Sequence, residues 1–368
     1  MNRYFDANAT TPMLPEARDA WLEASERHWH NPSSLYRDAG LAAQRLEEAR
    51  ERLAELIGAE AGRIVFTSGA TESNNLLFSA FMGQNVAISA VEHPSVREAA
   101  RHFARVSELK VDEQGRCTTV TPDVALVSVQ AANNESGVLQ PWRELAQHCR
   151  EAGVLFHTDA AQWLGKLDSS DLGLCDYVTG SAHKFGGPKG CGFLVLKSED
   201  ETIRLLRGGP QEKGRRAGTE NYPAVEAMVT ALEFLTNRGP QMSAEPRNAF
   251  ITAMKASFPD LRVISEGAER LWNTVLMVMP AHSNLKWLTR LSRRGFSIST
   301  GSACSSGREG SSVVVSALGA GGDELKRVVR VSSGWWTTPA DWQALASAFV
   351  ETSAELDTES RDRERSMT

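Results

Sequence analysis

The sequence predicts an α/β protein whose mainly parallel sheet is covered by helices on both faces. Short apolar runs rich in β-branched residues recur between Ile64 and Leu196, as buried strands do. Amphipathic stretches separate the runs, and strand–helix alternation of this kind builds a parallel sheet with both faces covered. The chain has 368 residues, enough for about two domains at roughly 150 residues each. Hydrophobic residues make up 41% and charged residues 23%, a balance that supports a packed core and not a disordered chain.

The runs come in order as Ile64–Phe66, Val86–Ile88, Val124–Val127, Val154–Phe156, Tyr177–Val178 and Phe193–Leu196. Between them lie helical patterns such as Trp142 to Glu151, closed by Gly153. The Gly239-Pro240 pair, set among polar residues, marks a break. Beyond it, strand candidates fall at Leu261–Ile264, Thr274–Met279 and Arg327–Val331, followed by a helix from Pro339 to Leu356. The polar tail from Asp357 to Thr368 reads as frayed. The expected division is a large unit over 14–238 and a smaller one joining 1–13 to 239–368.

Composition excludes several classes of function. With 40 basic and 46 acidic residues the net charge is -6, so there is no basic footprint for nucleic acid. No stretch approaches the roughly 18 apolar residues of a membrane span. The segment Met1–Asp6 carries no apolar signal pattern. Five cysteines (117, 149, 175, 191 and 304) include no Cys-x-x-Cys pair. That argues against a disulfide framework or a zinc site, and for a reducing cytoplasm.

Ligands of open α/β sheets sit beyond the carboxyl ends of the strands, and here those ends are rich in chemistry. Thr67-Ser68-Gly69-Ala70-Thr71-Glu72 enters a helical pattern, and small residues there leave backbone N–H groups for an anion. The next ends bring Glu92-His93, Asn133-Asn134-Glu135, His157 with Asp159 and Gln162, and Ser181 with His183 and Lys184. Each group also has a plain structural reading: Ser-Gly-Ala-Thr and Asp159 as helix caps, His93 as an ordinary core or surface histidine, Lys184 as a solvated lysine, Cys304 as a small buried residue. Neither a G-x-x-x-x-G-K-[ST] loop nor a G-x-G-x-x-G after a strand is present, which weakens a nucleotide-binding reading. Together, a phosphate cradle, a strand-end Asp and a later Lys are what pyridoxal 5'-phosphate (PLP) requires. The Lys forms a Schiff base with the aldehyde, and the Asp keeps the pyridine nitrogen protonated so that the ring draws electrons.

These residues also carry a family pattern. Phe5–Pro12, Asn31-Pro32-Ser33-Ser34, Thr67–Asn74, Glu92-His93 and Asn133-Asn134-Glu135 are followed by His157–Gln162 and Ser181–Lys184. Arg216–Asn221, Ser299–Cys304 and Val329–Ser332 complete the series. In this order they resemble the cysteine desulfurases, within the class V aminotransferase group of fold-type I PLP enzymes. The resemblance implies a large domain with a mainly parallel seven-stranded sheet sandwiched by helices, plus a smaller α/β C-terminal domain. It implies that Lys184 bears the cofactor and moves protons, that Asp159 pairs with the pyridinium nitrogen, and that His93 stacks over the ring as an acid–base group. Asn134 and Gln162 would hydrogen-bond the ring hydroxyl oxygen. Ala70 through its backbone, Thr71, Ser181 and His183 would hold the phosphate, and Thr219 would reach the phosphate of a neighbouring subunit in a homodimer. Arg330 would fork onto the substrate carboxylate, a job that Lys does poorly, with Asn8 and Asn31 at the substrate mouth.

The resemblance assigns Cys304 the distinctive step, in which a thiolate takes sulfur from cysteine, holds it as a persulfide and hands it to an acceptor protein for iron–sulfur or thio-cofactor synthesis. An unperturbed thiol, with a pKa of about 8.5, is only slightly ionised at neutral pH, so a neighbouring group must take its proton. The flanks from about 297 to 312 are rich in serine and glycine, as a flexible loop is. The other four cysteines read as structural. The chain departs from the family pattern at Ser305-Ser306-Gly307-Arg308, at Tyr36-Arg37 and at Trp335-Trp336. Two other readings stay open from sequence: a selenocysteine lyase or cyst(e)ine C–S lyase of the same family, and a catalytically quiet PLP-bound binding partner.

Overall fold

The computed structural model describes residues 3–120, 123–199, 201, 203–238, 242–301, 312–319 and 321–367. The first part of the chain runs β1 (Arg3–Tyr4), α1 (Pro15–Arg27), α2 (Arg37–Ile57), β2 (Ile64–Thr67), α3 (Ala70–Ser79), β3 (Asn85–Ser89), α4 (Pro94–Phe103), β4 (Arg105–Leu109), β5 (Leu126–Ser128), α5 (Trp142–Glu151), β6 (Leu155–Asp159), β7 (Tyr177–Ser181), β8 (Gly192–Val195) and α6 (Tyr222–Arg238). The rest comprises α7 (Glu245–Ser257), β9 (Arg262–Val263), β10 (Thr274–Val278), α8 (Asn284–Arg293), β11 (Phe296–Ser297), α9 (Val313–Ala317), β12 (Val328–Ser332) and α10 (Pro339–Met367).

Seven strands form one sheet in the order β2-β8-β7-β6-β5-β3-β4. Every neighbouring pair is parallel except the two made by β8, which runs against both β7 and β2. The side chains alternate between two apolar cores, as the pleat requires. Ile64, Phe66, Ala87, Phe193 and Val195 join the core beneath α1, α2, α5 and α6. Val65, Val86, Ile88 and Leu194 join the core beneath α3 and α4. This double burial explains why the runs are apolar at every position. The strand β4 was absent from the sequence reading, because its residues Arg105, Ser107 and Glu108 face solvent at the sheet edge.

A three-stranded antiparallel sheet, β12-β10-β9, and the parallel pair β1-β11 complete the strands. Phe5 packs there with Phe250, Met277, Trp287, Val331 and Phe349 in a core of their own. The tail differs from its expectation. Helix α10 continues through Met367. His282 meets Asp357 at 2.8 Å, Arg290 pairs with Glu359, and Leu356 is buried. These contacts fix a helix that a polar composition alone does not announce. Among the described residues, no helix is long and apolar enough to cross a membrane.

A buried ion pair ties α2 to the loop before α6. Arg50 Nη1 and Nη2 donate to the two carboxylate oxygens of Glu212 at 2.9 Å each, and Phe66 N donates to the same carboxylate. Glu212 and Lys213 hold positive φ of 50° and 56°, so this anchor retains an otherwise unfavoured backbone turn. Glu212→Ala strands the Arg50 charge inside the protein. It is expected to lower unfolding stability by about 3 kcal/mol, measured by urea denaturation; an unchanged midpoint contradicts that role.

Candidate active site

Six of the seven strands run the same way, so the residues after β2, β3, β5, β6 and β7 arrive at one edge of the sheet. There they line a cavity of about 520 Å³, a size that suits a cofactor and a small substrate. Ala70 and Thr71 line it from the start of α3, and Ser181 and His183 line it from the end of β7 and the turn that follows. Gly69 caps that helix without a side chain, at φ 144°, a conformation that favours glycine. The first N–H groups of α3 are therefore not masked by a side-chain cap, an arrangement able to receive an anion. His183 is uncharged at neutral pH: burial first, then Lys184 and Lys189, push its pKa down to about 4.

A polar chain links His93 to Asp159. His93 caps α4, and its Nδ1 accepts from Ser95 N at 3.1 Å. Nδ1 is thus an acceptor and a neutral ring carries its proton on Nε2. Burial lowers the His93 pKa, Asp159 opposes the shift and Lys184 adds to it. Ser95 Oγ lies 2.8 Å from His93 Nδ1 and accepts from Asn74 Nδ2 at 2.9 Å. Asn74 Nδ2 also donates to Asp159 Oδ2 at 3.1 Å, while Asp159 Oδ1 accepts from Ala161 N at 3.0 Å. Two donors thus fix the Asp159 carboxylate. Sequence reasoning missed Asn74 and Ser95, since neither residue type signals a supporting role.

Lys184, in the turn after β7, donates to the backbone oxygens of Asn8 at 2.7 Å and Ala9 at 2.8 Å. Asn8 is buried and central: its Nδ2 donates to Thr274 Oγ1 and Asn134 O, and its backbone oxygen also accepts from Gln162 Nε2. Asn134 lines the cavity, and its backbone oxygen accepts from Arg330 Nη1 at 2.9 Å. Arg330 is 1% exposed, pairs with Asp6 through Nη2 at 2.6 Å, and keeps a buried Nε with no partner among the described residues. A buried guanidinium donor without an acceptor, beside the cavity, suits an incoming carboxylate.

Glu135 is a lining residue that the sequence reading did not assign. Burial raises its carboxyl pKa, while Ser312 and Arg330 oppose the rise. Ser312 Oγ donates to Glu135 Oε2 at 2.5 Å. Gly301, at φ 101°, approaches the same oxygen so closely that a Cβ there would lie 3.0 Å from it. The described residues on either side of 302–311 therefore meet one carboxyl at the cavity wall. Cys304 itself lies outside the described residues. The other four cysteines are buried, and burial raises the thiol pKa of Cys117 and Cys149 to about 11 and that of Cys191 to about 12. Such thiols are inert at neutral pH.

Four residues from the sequence reading lie away from the main cavity lining. Asn31 is exposed, and its side chain accepts from Ser33 N. Thr219 lines a neighbouring cavity that shares Ser68 and Gly190 with the first. His157 points into the sheet, where it meets Ser128 Oγ at 2.8 Å, and burial lowers its pKa to about 4. Trp335 lines a narrow cavity with Lys166 and Lys184, behind the main one.

The aminotransferase class-V family model matches residues 3–345. The chain belongs to this family. A cysteine desulfurase from Cereibacter sphaeroides is 36% identical over 356 residues, covering 92% of each chain. The crystal structure of a NifS-like protein from Rickettsia africae has a TM-score of 0.86 and 28% identity, covering 96% of this chain and 100% of the other. A structure described as SspA in complex with cysteine has a TM-score of 0.77 and 28% identity, covering 90% of this chain and 98% of the other. The family fold and the mainly parallel seven-stranded sheet agree with the architecture expected from sequence.

Proposed function

We propose that the protein is a PLP-dependent cysteine desulfurase that converts L-cysteine to L-alanine and carries the sulfur as a persulfide on Cys304. The observation that supports this most is the single cavity lined by Lys184, Asp159, His93, Arg330 and the start of α3. Its relatives bear the name cysteine desulfurase, and one solved neighbour was obtained with cysteine. When bound, PLP supplies an aldehyde for a lysine amine and a ring that draws electrons from the substrate carbon.

Each residue has a role that suits its surroundings. The start of α3, with Ala70 N, Thr71, Ser181 and His183, would hold the phosphate, and its helix dipole favours that charge. The Asp159 carboxylate, held by Asn74 and Ala161, would accept from the ring N–H. Gln162 and Asn134 would donate to the ring oxygen. Neutral His93 would cover the ring and present its Nε2 proton. The Lys184 amine would take and return the proton at the substrate α-carbon. Arg330, with Asn8 nearby, would hold the substrate carboxylate; Asn31 would stand at the mouth of a shared site. The Cys304 thiolate would form the S–S bond as the substrate C–S bond breaks, so that L-cysteine and enzyme thiol become L-alanine and enzyme persulfide.

A homodimer fits this reading, with Thr219 serving the partner's phosphate, as does a reducing cytoplasm that keeps Cys304 free. The separate apolar core joining Phe5 to residues beyond Arg238 supports the division at 14–238. The acceptor would be a scaffold or sulfurtransferase protein of iron–sulfur or thio-cofactor synthesis. The test is one turnover with L-cysteine in the absence of reductant, followed by peptide mapping. The account expects one alanine per active site and the extra sulfur on the Cys304 peptide. Extra sulfur on any other peptide overturns the assignment.

A further inference from the structure

Lys166 is an amine to which the roles above give no task. It stands four residues after Gln162, in the turns that follow β6. Its side chain lines the narrow cavity behind Lys184. Its amine donates to two side-chain amides: a short contact to Gln162 Oε1 and a 3.2 Å contact to Asn8 Oδ1. No carboxylate pairs with it among the described residues. Burial first, then the charges of Lys184 and Arg330, push its pKa well below the usual lysine range.

An amide side chain has an accepting and a donating end of nearly the same shape, and its surroundings decide which way it faces. A group that donates to the Gln162 oxygen settles the matter. Gln162 Nε2 is then the end that turns to Asn8 O, at 2.9 Å. Its second N–H has no protein partner among the described residues. Asn8 is oriented in the same way: its Oδ1 accepts from Lys166 and Asn273, and its Nδ2 donates to Thr274. Asn8 O in turn accepts from Lys184.

We propose that Lys166 is a positioning residue that locks Gln162 with its amide nitrogen, and not its oxygen, toward the ring oxygen of the cofactor. The inference rests on the PLP reading of the cavity. Without Lys166 only the contact to Asn8 O is left to orient the amide, and an amide oxygen facing the ring oxygen repels where a nitrogen attracts.

The test is a double-mutant cycle of Lys166→Met and Gln162→Ala, read by the PLP dissociation constant and by the visible band of bound PLP. Lys166→Met removes an amine that is costly to bury, so folding is retained. Lys166→Gln, read in the same cycle, serves if the methionine variant does not fold. In the wild-type background either substitution is expected to weaken PLP binding roughly fivefold, the worth of about one hydrogen bond, and to shift the band. In the Gln162→Ala background it adds less than about twofold, because its effect runs through Gln162. Equal effects in both backgrounds overturn the proposal and assign Lys166 a through-space charge role; no effect in the wild-type background also overturns it. Failure of the wild type to take up PLP contradicts the cofactor reading instead.

Discussion

Lys184→Ala is expected to abolish the visible absorbance of bound PLP and to lower cysteine turnover by about 10⁴-fold. Two losses combine in that number. On the PLP reading, the side chain would supply the nucleophile for the cofactor aldehyde. It would also supply the base, a role worth about 10²–10⁴-fold alone. Among the described residues, Lys189 also lines the cavity, where its charge acts on His183. Lys166 is turned to Gln162 and Asn8 and lies outside the main cavity lining. The Asp159 carboxylate and the Arg330 guanidinium are held by partners other than Lys184. The variant should therefore still bind PLP, without the covalent band. A band that survives the substitution refutes the lysine assignment.

Cys304→Ala is expected to keep the cofactor band and its response to cysteine while losing sulfur transfer by at least about 10³-fold. The four described cysteines offer no alternative acceptor. All are buried, and burial holds each in its thiol form, whereas the thiolate is the nucleophile. The described residues Gly301 and Ser312, which precede and follow 302–311 in the sequence, both meet Glu135 at the cavity wall. Persulfide formation that continues at the wild-type rate in the variant would remove Cys304 from the chemistry.

How much of this was legible in the sequence follows from burial. Strands β2, β3, β5, β6, β7 and β8 are covered on both faces, so their apolar runs mark them plainly. Edge strand β4 has no such pressure on its exposed residues. The C-terminal half of α10 depends on partners distant in sequence, His282 and Arg290, and its own polar composition gives no sign of them. The site followed the same division. Residues that stand directly at strand ends, such as Asp159 and Lys184, were found by reading what comes after each run. Asn74, Ser95, Glu135 and Lys166 act through contacts made only once distant segments meet. Lys166 shows the limit most clearly: an isolated lysine after a glycine looks solvated, and only its enclosure between Gln162 and Asn8 reveals a task.

The central claim is tested most directly by supplying the PLP-loaded protein with L-cysteine and a thiol reductant, and measuring alanine and sulfide together in the wild type and in Cys304→Ala. The account predicts equal amounts of the two products from the wild type and neither in quantity from the variant. Pyruvate in place of alanine, or sulfide release that survives the loss of Cys304, would contradict it and make the protein a C–S lyase.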